Sequence, residues 1–227
     1  MNEKKNTKKL LIAGVALLAA FLLWTVLICT VDVRAVGQNG TSVGFASLNV
    51  RFHELTGVHM KVYNITDWLG ILPILICVVF GVLGLVQWIK RKSLWNVDID
   101  LLLLGIYYIV VIFGYLIFEV IPLNYRPVLI EGKLEASYPS STTLLVLSVM
   151  PTLIFQAIRR VKNVGVRYTA VGLSAAFALF MVVGRTVAGV HWLTDIIGAI
   201  LLSTGLFLTY LWFVFWQEDR RNAKSEI

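Results

Sequence analysis

Six apolar stretches, at about 10–30, 68–89, 99–121, 141–158, 168–188 and 192–216, set what this chain can become. Each is close to the roughly 20 helical residues needed to cross a hydrocarbon core about 30 Å thick. A backbone in lipid has to satisfy its own hydrogen bonds, which leaves only helices or a closed barrel. Runs this continuously apolar lack the alternation of barrel strands, so they predict helices. A chain that is 58% hydrophobic and 15% charged is far from the balance of soluble domains. The expected fold is all-α: a polytopic membrane protein, one domain over 1–227, built as a six-transmembrane-helix bundle.

The first run follows the basic segment MNEKKNTKK, as in a secretion signal. Its core is too long for a signal's apolar region and no small-x-small cleavage site follows, so it reads as a retained anchor. Lys and Arg placement sets orientation. Lys4, Lys5, Lys8 and Lys9, then Lys90, Arg91 and Lys92, then Arg159, Arg160, Lys162 and Arg167, then Arg220, Arg221 and Lys224 all fall on one side of the bundle. That side is the expected cytoplasmic face of a cell membrane, with both termini there. The net charge of +7 is therefore a topology signal; nothing gathers the basic residues into a nucleic-acid footprint. Cys29 and Cys77 are expected at different depths, as packing residues.

Three loops are then expected on the outer face. In the first, about 31–67, SVGFASLNVRFHELTG puts Phe45, Leu48, Phe52 and Leu55 on one helical face, from a Ser42 cap to Gly57, which predicts a short amphipathic helix on the membrane surface. Asn39 and Asn64 head short acceptor patterns for glycosylation, a weak signal. The second, about 122–140, holds three of the five prolines and should be a defined loop. The third is the junction GRTVAGVHWLTD, Gly184 to Asp195.

With this topology Arg126, the Pro139–Thr143 stretch, Arg185, His191 and Asp195 meet one membrane boundary. Ionisable residues there point to function, and these suggest anion handling. A guanidinium presents a planar fork to phosphate. The start of the fourth span, Ser140, Ser141 and Thr142 after Pro139, offers free amides and a helix dipole. His191 and Asp195 are four apart on one helical face, an arrangement in which a carboxylate can fix the tautomer of a histidine nucleophile or base. Scarce polar residues at mid-membrane argue against a channel or transporter. Apolar stripes around Gly81 and Gly84, or Gly198 and Gly205, can pack within one bundle or between copies, which leaves a homo-oligomer open.

Arg126-Pro127, then Pro139-Ser140-Ser141-Thr142, then Gly184-Arg185-x5-His191-x3-Asp195 resembles the signature Lys-x6-Arg-Pro, Pro-Ser-Gly-His, Ser-Arg-x5-His-x3-Asp of the type 2 phosphatidic acid phosphatase (PAP2) family, relatives of the vanadium haloperoxidases. The resemblance spans roughly residues 60–216. It implies a metal-independent phosphatase needing no cofactor, acting on a lipid phosphate such as phosphatidate, phosphatidylglycerophosphate or a polyprenyl diphosphate. By it, His191 forms a phosphohistidine, Asp195 orients it, and Arg126, Arg185 and the amides near Ser140 and Ser141 hold the phosphoryl oxygens. Two positions depart from the signature: Glu119 stands where it has lysine, and Thr142 where it has the histidine that protonates the leaving alcohol. Glu119, Glu131 or Glu135 as acid, Lys133 as the missing positive charge, or His53 or His59 folded over the site are the candidate substitutes. The alternative is a catalytically inactive relative that binds lipid phosphate headgroups as sensor or transport component.

Overall fold

The computed structural model describes residues 2–225 of the backbone and the side chains of 7–221, so the side chains of Lys4, Lys5 and Lys224 lie outside the described set. Helix α1 (Asn2–Thr30) leads into the first loop, where α2 (Ala46–Thr56) and α3 (Met60–Leu69) are followed by α4 (Ile71–Arg91), α5 (Ile99–Val120), α6 (Ser141–Arg160), α7 (Val164–Val187) and α8 (Leu193–Ser225). Six helical stretches are long and apolar enough to cross a membrane, in the order expected: Thr7–Thr30, Met60–Arg91, Ile99–Val120, Ser141–Arg160, Val164–Val187 and Leu193–Arg221. Among the described residues the only β-pairing is three isolated bridges in loops.

The first loop differs from expectation in two ways. Helix α2 begins at Ala46, with Phe45 as its cap residue at φ 49, and Ser42 plays no part in the cap. Asp32 takes that role from the end of α1: its carboxylate accepts from Ser47 N at 2.7 Å and its carbonyl from Ala46 N at 2.9 Å. The chain reaches this position by crossing α1 so closely that a Cβ on Gly44 would lie 1.7 Å from the Ile28 carbonyl oxygen. Gly57, at φ 68, ends the helix as expected.

Residues 60–67, expected as part of a polar loop, are the helix α3. It passes into α4 through the single residue Gly70, itself at helical φ −59 and ψ −15, and the two together form one span. Lys61, Asn64 and Asp67 recur every three residues and are all exposed. They interrupt the apolar pattern without interrupting the helix.

Two features set the position of the site. Helix α8 packs along α1, where Gly14 faces Thr209 and Gly205 faces Leu18, each too close for an added Cβ. Gly198 lies against the Tyr138 ring in the same way, so both glycines of the Gly198/Gly205 stripe pack inside the bundle, whereas Gly81 and Gly84 face open space. Helix α6 packs against α7 and α8, with Val146, Val149 and Met150 fully buried.

The end of the bundle opposite the start of α6 is closed by an ion-pair knot. Arg160 reaches Asp98 at 2.9 Å and Asp100 at 2.8 Å, Arg91 reaches Asp98 at 2.8 Å, and Arg159 pairs with Glu218. The arginines that mark topology in the sequence thus also fasten α4, α5, α6 and α8 together.

Candidate active site

The junction between α7 and α8 is built around one turn. Arg185 sits in the last turn of α7, and the chain reverses through Gly189 at φ 68. A Cβ on Gly189 would lie 2.0 Å from the carbonyl oxygen of Gly57, so this turn docks directly on the chain between α2 and α3. His59 N donates to Ala188 O at 3.0 Å and secures the contact. His191 and Trp192 follow, and α8 starts at Leu193.

Asp195 closes the start of α8 reciprocally. Its amide donates to Trp192 O at 3.0 Å, and its carboxylate accepts the Trp192 amide at 2.9 Å. The same carboxylate accepts the Ser137 hydroxyl at 2.5 Å and the Asn124 side-chain amide at 3.3 Å. It is 0% exposed, with both oxygens engaged. The spacing of four brings Asp195 Oδ2 to 3.9 Å from His191 Nδ1, which is beyond a hydrogen bond. Ser137 fills the interval: its hydroxyl is 3.1 Å and its carbonyl oxygen 3.1 Å from Nδ1. A carbonyl only accepts, so the proton sits on Nδ1 and the lone pair on Nε2. Nε2 faces Arg185 Nη2 at 3.5 Å. Burial, then the charges of Arg126 and Arg185, hold the His191 pKa well below its ordinary value, so the ring is neutral.

The second loop supplies Arg126 and Ser137 as a hairpin. Arg126 N donates to Glu135 O at 3.0 Å and Ser137 N to Asn124 O at 2.9 Å, and the chain reverses at Glu131 (φ 51) and Gly132 (φ 75). Lys133 lies at this exposed tip and is not among the residues lining the cavity, so the structure does not bring it to the place expected of the missing positive charge. Glu131 is at the same tip.

Arg126 is 8% and Arg185 1% exposed, and the Tyr63 ring lies beneath both, 5.9 Å and 4.9 Å from the guanidinium carbons. Arg185 Nη1 reaches Thr66 Oγ1 and Asp67 Oδ1, each at 3.5 Å. Arg126 Nε lies 3.2 Å from Glu135 Oε2 but is not aligned to donate to it. Nε and Nη1 of Arg126 and Nε of Arg185 therefore make no hydrogen bond although buried. Buried guanidinium donors are seldom left this way, and an oxyanion is the kind of group that would satisfy them.

The start of α6 offers less than the sequence suggests. Ser140 N already donates to Asp195 O at 3.2 Å, and its hydroxyl to Thr143 Oγ1 at 3.0 Å. That leaves the amides of Ser141, Thr142 and Thr143, which have no backbone acceptor, as the open part of the helix start. Ser141 lines a polar cavity of about 290 Å³ together with Arg126, Ser137, His191, Glu119 and Glu135. Thr142 lines instead an apolar groove of about 520 Å³ between α4, α5 and α6. Tyr115 and Ser141 border both spaces. The two histidines of the first loop border neither: His53 packs on the Trp192 ring at 5.6 Å, and His59 Nε2 is 2.8 Å from Thr56 O.

The structure thus brings His191, Asp195, Arg126, Arg185, Ser141, Glu119 and Glu135 to one place. Sequence reasoning missed Ser137, Asn124, Tyr63, Thr66 and Asp67. Of these only Tyr63, Thr66 and Asp67 leave a trace, as polar residues at i, i+3 and i+4 of one helix face.

A sequence model of the PAP2 superfamily matches residues 76–219. The fold is similar to a solved structure described as the first transmembrane PAP2 type phosphatidylglycerolphosphate phosphatase, from Bacillus subtilis. The TM-score is 0.62 over 88% of this chain and 94% of that one, at 16% sequence identity. No curated protein sequence matches the chain.

Proposed function

The chain belongs to the PAP2 superfamily, and from that premise we propose that it is a membrane lipid phosphatase working through a phosphohistidine on His191. The observation that carries this is the pair of buried guanidinium groups with unpartnered donors beside the Nε2 lone pair. The groups are where charge develops as Nε2 attacks phosphorus, and preorganised donors in a dry site are the largest usual source of rate. Ser137 and Asp195 keep the Nδ1 proton in place and stabilise the ring as it becomes substituted. The apolar groove adjoining the polar cavity suits a lipid rather than a soluble ester. By the distribution of basic residues the site faces outward from the cell membrane, with both chain ends in the cytoplasm.

Thr142 favours a second reading. A threonine hydroxyl cannot protonate a leaving alkoxide, and the loss of a general acid costs about 10²–10⁴-fold. A protein that holds a lipid phosphate without cleaving it has the same arginines. Purified protein assayed for phosphate release from phosphatidate, phosphatidylglycerophosphate and a polyprenyl diphosphate, with His191→Ala as control, separates the two. Release that depends on His191 supports the phosphatase; binding of the same lipids without release overturns it in favour of the binding protein.

A further inference from the structure

Resting on the phosphatase reading, we propose that Asp67 is the proton-transfer residue of this site and does the work that Thr142 cannot. Asp67 Oδ1 lies 3.5 Å from Nη1 of Arg185, and His191 Nε2 lies 3.5 Å from Nη2 of the same guanidinium. The carboxylate and the nucleophile thus flank one phosphate-binding group at its two amino ends. In-line displacement puts the attacking and departing atoms on opposite sides of phosphorus, and a phosphoryl group seated on this fork with Nε2 behind it has its departing oxygen toward Asp67.

The surroundings of Asp67 agree. Its side chain is 55% exposed, unlike the sealed Asp195, and it lines the apolar groove beside Thr142 and Ser141. The groove meets the polar cavity at Tyr115 and Ser141, so a lipid whose tail lies in the groove and whose phosphate lies in the cavity has its bridging oxygen at that junction. Gly70, one turn after Asp67, abuts the side chain of Thr142: a Cβ there would be 3.7 Å from Thr142 Cγ2. Asp67 therefore stands next to the position where the signature has its histidine. The other carboxyl groups are placed differently. Glu135 is paired with Arg126, and Glu119 lines the polar cavity; neither borders the groove.

The cycle balances on one proton. Asp67 takes a proton from solvent as the anionic headgroup binds; in the first step the Nε2–P bond forms, the P–O bond breaks, and that proton passes to the departing oxygen. In the second, water attacks phosphorus, the Nε2–P bond breaks, and the water proton passes to the Asp67 carboxylate, restoring the acid as phosphate leaves. A diphosphate releases a lipid monophosphate, a stable anion, so it needs the acid in the first step far less than a monoester does. Both need the base in the second.

The test is rapid-mixing kinetics of the full-length protein with a polyprenyl diphosphate. Asp67→Asn should give a burst of lipid monophosphate equal to the enzyme present, then turnover slowed about 10²-fold or more, with acid-labile, base-stable phosphohistidine accumulating. Asp67→Glu should recover part of the turnover. If Asp67→Asn loses burst and turnover together, Asp67 only holds Arg185, and if turnover stays within about threefold it does neither; each result overturns the inference while the phosphatase reading stands. A parent protein that releases no phosphate overturns the phosphatase reading, and this inference with it.

Discussion

Between His191 and Asp195, 3.9 Å apart at Nδ1 and Oδ2, stands the hydroxyl of Ser137, which donates to the carboxylate and lies 3.1 Å from the ring. The charge of Asp195 reaches the imidazole through that intermediary, while the Ser137 carbonyl alone suffices to fix the tautomer.

Ser137→Ala should consequently reduce kcat and spare KM. A hydrogen bond to a charged group is worth about 1.5–3 kcal/mol, or roughly 10–100-fold. Asp195→Asn removes the charge itself and should cost more than Ser137→Ala, again in kcat. Steady-state kinetics on both variants check this, and a Ser137→Ala enzyme at parental kcat would show that the bridge is only structural.

Arg126→Lys and Arg185→Lys keep the charge but lose the planar fork. Each should lower kcat about 10²–10³-fold, the scale of losing one preorganised donor at a developing charge. Competition by inorganic phosphate should weaken in parallel, since the same unpartnered Nε and Nη donors serve both. Undiminished phosphate inhibition in either variant would place the anion elsewhere.

In an Asp67→Asn background, Thr142→His should restore monoester hydrolysis more than diphosphate hydrolysis, because only the former depends strongly on an acid in the first step. The ratio of the two rates in the single and double variants is the readout. An equal gain on both substrates would mean the new ring acts by binding.

Acid should destabilise the protein through His191. Its folded pKa is depressed below the ordinary 6.5 by burial and by the two arginines. Below about 6.5 the unfolded chain binds a proton that the folded chain refuses, so stability falls as pH falls. His53, depressed by burial, acts in the same direction. The Tm of the parent should therefore drop between about pH 7 and pH 5, and that of His191→Gln should drop less. Identical slopes would assign the whole effect to His53 and the acidic groups.

Much of this site is written in the sequence. The spacing from Arg185 to His191 to Asp195 survives into the structure because it spans one helix end, one turn and one helix start, all local. The helix boundaries of the spans follow from apolar run length in the same way. Ser137 and Asn124 have no such signature: their roles come from a hairpin folding onto α8, 54 to 71 residues away along the chain. Asp67 was obscured for another reason, since α3 looks like a loop when polarity alone is read. Ser140 shows the opposite error, a residue of the right type whose amide is already committed to Asp195.

The Gly189 turn lies within touching distance of Gly57, and only glycine fits both its φ of 68 and the 2.0 Å that a Cβ would have to the Gly57 oxygen. Gly189→Ala should be severely destabilising, combining left-handed strain of about 1–2 kcal/mol with an overpacking cost of about 1–3 kcal/mol. The docking of this turn on Gly57 is also what carries Tyr63, Thr66 and Asp67 of α3 to Arg185. Loosening this one contact should therefore disturb the anion seat at a distance from Gly189 itself, through the α3 side chains that flank Arg185.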